Sequence, residues 1–84
     1  MARYSYPAVF VRDGDRLKVT FIDFPESIPI PARYDQMLFA ERRLIFNLSA
    51  TKARRSLIPK ATPFLKIRPA EGEQVKLITV EWGD

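Results

Sequence analysis

Two runs near the start of the chain, "YPAVFV" (Tyr6 to Val11) and "RLKVTF" (Arg16 to Phe21), repeat their larger apolar side chains at every second position. That is the period of a strand with one buried face. Between them stands Asp13-Gly14-Asp15, a strong signal for a tight hairpin turn. With Asp13-Gly14 as the turn, Phe10 pairs with Leu17, Ala8 with Val19 and Tyr6 with Phe21. One face then carries Tyr6, Ala8, Phe10, Leu17, Val19 and Phe21; the other carries Val9, Val11, Arg16, Lys18 and Thr20. A turn at Gly14-Asp15 changes the partners and keeps the faces, whereas a three-residue turn sets Phe10 against Lys18 and mixes them. The pattern predicts a hairpin with one face in the core.

After the hairpin, Ile22 to Ser27 breaks the alternation. The segment Ser27 to Ala32 contains Pro29 and Pro31, which lack ladder donors, so it reads as an edge strand or a polyproline-like return. Asp35 suits a helix N-cap. From Gln36 onward Met37, Ala40, Leu44 and Leu48 recur at helical spacing, with Leu38 and Ile45 widening the stripe. Phe39 and Phe46, seven apart, lie on a neighbouring face, which gives the helix more apolar surface than one contact with a sheet requires. It should end near Arg54 to Ser56, ahead of Pro59. Leu57 to Pro69 holds three prolines and reads as an extended connection that Phe64, Leu65 and Ile67 tuck onto the body. Glu71-Gly72-Glu73 is a turn signal. Gln74 to Trp82 reads as a last strand, apolar on both faces in its middle, as a central or interface strand would be. The expected fold class is α+β, in the order β-β-β-α-β: an antiparallel sheet with one long helix packed on it, residues 1–84 forming a single domain.

Composition narrows the chemistry. The 84 residues hold no histidine, no cysteine and three glycines. The commonest general base, thiolate metal sites and glycine-rich phosphate loops are therefore missing. Ten carboxylates remain. Asp13 and Asp15 are the nearest pair, but they flank a turn glycine, a place Asp takes for conformational reasons. No catalytic, cofactor-binding or metal-ligating residue is expected, and the protein is expected not to be an enzyme. No apolar run approaches the roughly 18 residues of a membrane span, and the first five residues lack a signal-peptide core, so a cytoplasmic location is expected.

The order of elements resembles the HicB-like antitoxin family. "YPAV" (Tyr6 to Val9), "DGD" (Asp13 to Asp15) and "DFPE" (Asp23 to Glu26) stand where that family opens with Tyr-Pro-Ala, an Asp-Gly turn and a proline-flanked strand end. Ile58-Pro59 resembles the proline motif after the family's helix, and "VKLITVEW" its closing strand. The resemblance implies a bacterial or phage-borne binding module that assembles as a dimer or tetramer. It further implies that the module neutralises a small toxin of the HicA type, which cleaves messenger RNA.

Charge adds a second reading. From Arg42 to Arg68 there are eight bases (Arg42, Arg43, Lys52, Arg54, Arg55, Lys60, Lys66, Arg68) and no carboxylate, in a chain of net charge +4. Arg42, Arg43, Lys52, Arg54 and Arg55 are the expected contacts to a partner, either an acidic protein or nucleic acid. A small basic nucleic-acid-binding protein on the same fold is the alternative, and it is not the favoured one. Phe39, Phe46, Ile78, Val80 and Trp82 are the expected oligomer interface. Asn47-Leu48-Ser49 has the form of a glycosylation sequon and "ARRSL" that of a kinase site, both read as chance.

Overall fold

The computed structural model describes residues 1–31 and 35–83. In chain order they form β1 (Ala2–Asp13), β2 (Arg16–Phe21), β3 (Phe24–Pro31), the helix α1 (Gln36–Ala53), a 3₁₀ turn (Phe64–Lys66) and β4 (Glu73–Trp82). The strands make one antiparallel sheet in the order β3-β2-β1-β4, with α1 packed on one face. The architecture is α+β.

The hairpin pairs Ala8 with Phe21, Phe10 with Val19 and Asp13 with Arg16, so the loop is Gly14-Asp15 and not Asp13-Gly14. Gly14 has φ +64 while Asp15 stays at negative φ. That is the pattern of a type II′ turn, whose first central position needs the positive φ that glycine adopts without a Cβ clash. The pairing shifts by two residues, so both faces keep their expected composition.

β1 is paired along both of its edges and is the sheet's inner strand beside β2. Its even-numbered residues Tyr6, Ala8 and Phe10 join Val19, Phe21, Phe24, Ile78 and Val80 under Ala40, Leu44 and Leu48 of α1 to make the core. Phe21, Leu44, Leu48 and Ile78 are fully buried, each stabilising the fold by roughly 1.5–3 kcal/mol. β3 takes an outer position, as its prolines require; Ala32, the expected end of that segment, lies outside the described residues. β4, expected to be central or interfacial from its apolar middle, is the other outer strand. Its inward side is buried by α1, and Leu77 on the opposite side is 47% exposed.

Asp35 caps α1: its carboxylate accepts from the Leu38 N–H at 3.1 Å. At the other end Ser56 N–H reaches Thr51 O (3.1 Å) and Arg55 N–H reaches Lys52 O (2.9 Å). These two bonds form a Schellman closure, and Arg55 stands at its left-handed position with φ 57, where glycine is usual.

The connection to β4 differs from expectation. Leu65 is 95% exposed, Phe64 is exposed and Ile67 is half-buried, so these residues do not hold it down. Phe64 and Leu65 are consecutive in a 3₁₀ turn, which sends successive side chains in different directions. Ile58 and Ala61 pack against the core instead. A polar latch completes the attachment. The Tyr6 hydroxyl donates to the Pro59 carbonyl, and the Asp23 carboxylate accepts from the Thr62 N–H (3.0 Å) and hydroxyl (2.7 Å). The connection ends in a turn in which Glu73 N–H bonds Ala70 O (3.0 Å) with Gly72 at φ 83, the left-handed corner a type II turn needs.

Candidate binding surface

The five basic residues singled out by sequence fall into two groups. Arg42 is exposed on α1, while Lys52, Arg54 and Arg55 are exposed at its C-terminal end, where cations complement the helix dipole. Arg43 is half-buried, its guanidinium 4.7 Å from the Phe46 ring centroid, and the Lys52 ammonium stands 5.7 Å from the Trp82 ring. Both are cation–π distances, so aromatic faces orient two of the five.

The apolar residues of α1 separate by angle. Ala40, Leu44 and Leu48 turn toward the sheet and are buried, beside the polar Thr51; Met37, expected on their stripe, is exposed, as are Leu38, Ile45 and Phe46, Phe46 by 56%. In the connection, Leu57 is 94% exposed and Leu65 95%. Between residues 42 and 68 the chain thus exposes both bases and large apolar side chains.

Of the expected oligomer interface, the Ile78 and Val80 side chains are in the core beneath α1 and are not offered to a partner. Their side of β4 faces the helix because β4 is paired to β1 in a register that aligns Ile78 with Tyr6 and Val80 with Tyr4. Phe39 and Trp82 are partly buried against the core, Trp82 edge-on to Tyr4 at 5.9 Å. Phe46 alone of the five is mostly free to make contact.

An open depression of about 440 Å³ lies near the hairpin tip, lined by residues including Phe10, Arg12, Leu17, Gln36 and Glu73. The Glu73 carboxylate there is engaged by the Ala70 N–H at 2.8 Å. Among the described residues no cluster of three or more carboxylates, histidines or cysteines could hold a metal ion, and no helix is long and apolar enough to cross a membrane.

Sequence reasoning missed two polar features. Asn47 and Thr51 lie on the buried face of α1, the Thr51 hydroxyl bonding back to the Asn47 carbonyl at 2.8 Å and the Asn47 Nδ2 buried without a partner. Burial also removes Asn47 as a glycosylation acceptor. The Tyr6–Pro59 and Asp23–Thr62 latch joins residues 53 and 39 apart, too far for any local pattern to announce. Burial, then the nearby Asp23 and Tyr4, push the Tyr6 hydroxyl pKa above its ordinary value of 10.0.

No protein-family model matches the chain, and no curated protein sequence matches it.

Proposed function

We propose that the protein is a non-enzymatic, cytoplasmic protein-binding module of the HicB-like kind that captures a small toxin-like protein. One observation carries this reading: along the chain from Arg42 to Arg68, bases alternate with large apolar side chains that are also exposed, Ile45, Phe46, Leu57, Phe64 and Leu65. Apolar side chains gain nothing against phosphates, whereas a protein surface can bury them. Aromatic and Arg side chains are also the usual energetic centres of protein interfaces. The absence of carboxylates in the block asks for acidic groups opposite. A toxin held here meets the module through an acidic face and not through its RNA-binding one.

The test is co-purification with a small protein, if one is encoded beside this gene, and relief of that protein's toxicity. Phe46→Glu, which leaves the core untouched, should weaken the complex by about tenfold or more. An unchanged complex, or no complex with a verified toxic neighbour, would overturn the reading.

The unbroken basic block supports nucleic-acid binding as the second reading. If Arg42, Arg43, Lys52, Arg54 and Arg55 contact duplex phosphates, log affinity should fall with log salt at a slope near about −4.5. Reversing Arg54 and Arg55 to Glu should flatten that slope. A gel shift at two salt concentrations separates the readings: salt-sensitive retention lost in the reversed variant favours nucleic acid.

A further inference from the structure

The two outer strands of the sheet are built in opposite ways. β3 carries Pro25, Pro29 and Pro31 within eight residues, and each removes a ladder donor. β4 has ten residues and no proline, and β1 pairs with it along its whole length on one side. Among the described residues no strand pairs with its other side. Of the backbone bonds made by turns and loops, one involves β4, at its first residue Glu73.

The side chains that could screen this edge are drawn away from it. The Lys76 ammonium is an inward charge of the kind that blocks edge pairing. It is folded back across β1 to 5.0 Å from the Phe10 ring. Thr79 bonds Ser5 at 2.8 Å, Glu81 pairs with Arg3 at 3.6 Å and Trp82 packs on Tyr4, all three partners lying on β1. A long strand with no proline and its polar groups tied inward is a template for another strand.

We propose that this edge pairs antiparallel with β4 of a second copy of the chain, so that four strands from each copy make a continuous eight-stranded sheet with both helices on one face. The strand's own charges select the register. Faces stay continuous when a residue of β4 pairs with its own counterpart at the two-fold axis or with residues of like parity. Centring on Leu77 sets Glu73 opposite Glu81, and centring on Lys76 sets the lysines against each other; like charges directly opposite are destabilising. Centring on Thr79 avoids both but pairs residues 76–82, while centring on Ile78 avoids both and pairs 74–82. In the Ile78 register Lys76 faces Val80, Val75 faces Glu81, and Leu77, half-exposed in the single chain, faces Thr79 of the other copy. This assembly is independent of the partner surface on α1.

Light scattering on the full chain at micromolar concentration should return twice the chain mass of 9.7 kDa. L77K/T79K sets introduced bases against each other at both Leu77–Thr79 pairs and should return a single chain with unchanged circular dichroism. L77K/T79E faces each introduced base with an introduced acid and should restore the dimer. Should L77K/T79K unfold, cysteine chemistry decides. The chain has no cysteine of its own, and L77C/T79C should oxidise to a covalent dimer. A monomeric natural chain, a dimer indifferent to L77K/T79K, or a cysteine variant that yields no covalent dimer overturns the proposal. So does a dimer abolished by Phe46→Glu, which would place the interface on α1.

Discussion

The β1–β2 hairpin and the connection between α1 and β4 are both rich in apolar residues, yet they place them on opposite sides of the protein surface. In the hairpin, Tyr6, Ala8, Phe10, Val19 and Phe21 are all buried. In the connection Leu57 and Leu65 are among the most exposed side chains of the molecule. The difference is backbone support. A ladder of hydrogen bonds satisfies the hairpin's peptide groups and lets every second side chain face α1. The connection has prolines and a single 3₁₀ turn, so it touches the body at Ile58 and Ala61 and through the Tyr6 and Asp23 hydrogen bonds. Hydrophobicity decides what a segment gains by burial; repeating geometry decides whether it can be buried.

The comparison breaks most visibly in the core. Phe21→Ala empties a fully buried site on the hairpin and should cost about 3–5 kcal/mol in urea unfolding, a large share of the stability of an 84-residue domain. Next comes the latch. Asp23→Ala removes the acceptor of two bonds from Thr62 and should cost about 1.5–3 kcal/mol, the range for hydrogen bonds to a charged group. Proteolysis should then cut first within residues 57–69.

Tyr6→Phe, deleting the bond to Pro59, should cost about 1 kcal/mol at neutral pH. Its pH dependence is more telling. Because the folded pKa lies above the ordinary 10.0, the unfolded chain loses this proton first. The contribution is whole below pH 10 and is lost as pH rises from there through the folded value. Alkaline unfolding of Tyr6→Phe should lack that component. Two small effects close the series. Arg55→Gly relieves the left-handed arginine at the helix end and should raise stability by about 1 kcal/mol. Leu65→Ala should stay within about 0.5 kcal/mol, and a loss near that of Phe21→Ala would show that the connection is packed after all.

Much of the fold was legible because period and capping are local. The strand faces follow from alternation, α1 begins at the Asp35 cap and ends at Ala53, and proline kept β3 on the outside. The turn was displaced by one residue because Asp-Gly and Gly-Asp both make two-residue hairpins, and φ at Gly14 distinguishes them. The candidate surface was legible as a run of bases. Which apolar residues accompany them was not: Ile78 and Val80 carry the same composition as exposed residues and are buried because α1 lies over them.

By itself the sequence determined the periods, the caps, the proline-guarded strand and the carboxylate-free stretch from Arg42 to Arg68, since each depends on residues within a few positions of one another. The tertiary structure alone decided that β4 lies at an edge and not at the centre. It also decided that Tyr6 and Asp23 hold a connection dozens of residues away, and that Phe46, Leu57 and Leu65 remain at the surface. Those outcomes depend on which elements meet in space, and a face that is apolar in sequence is buried when another element lies across it.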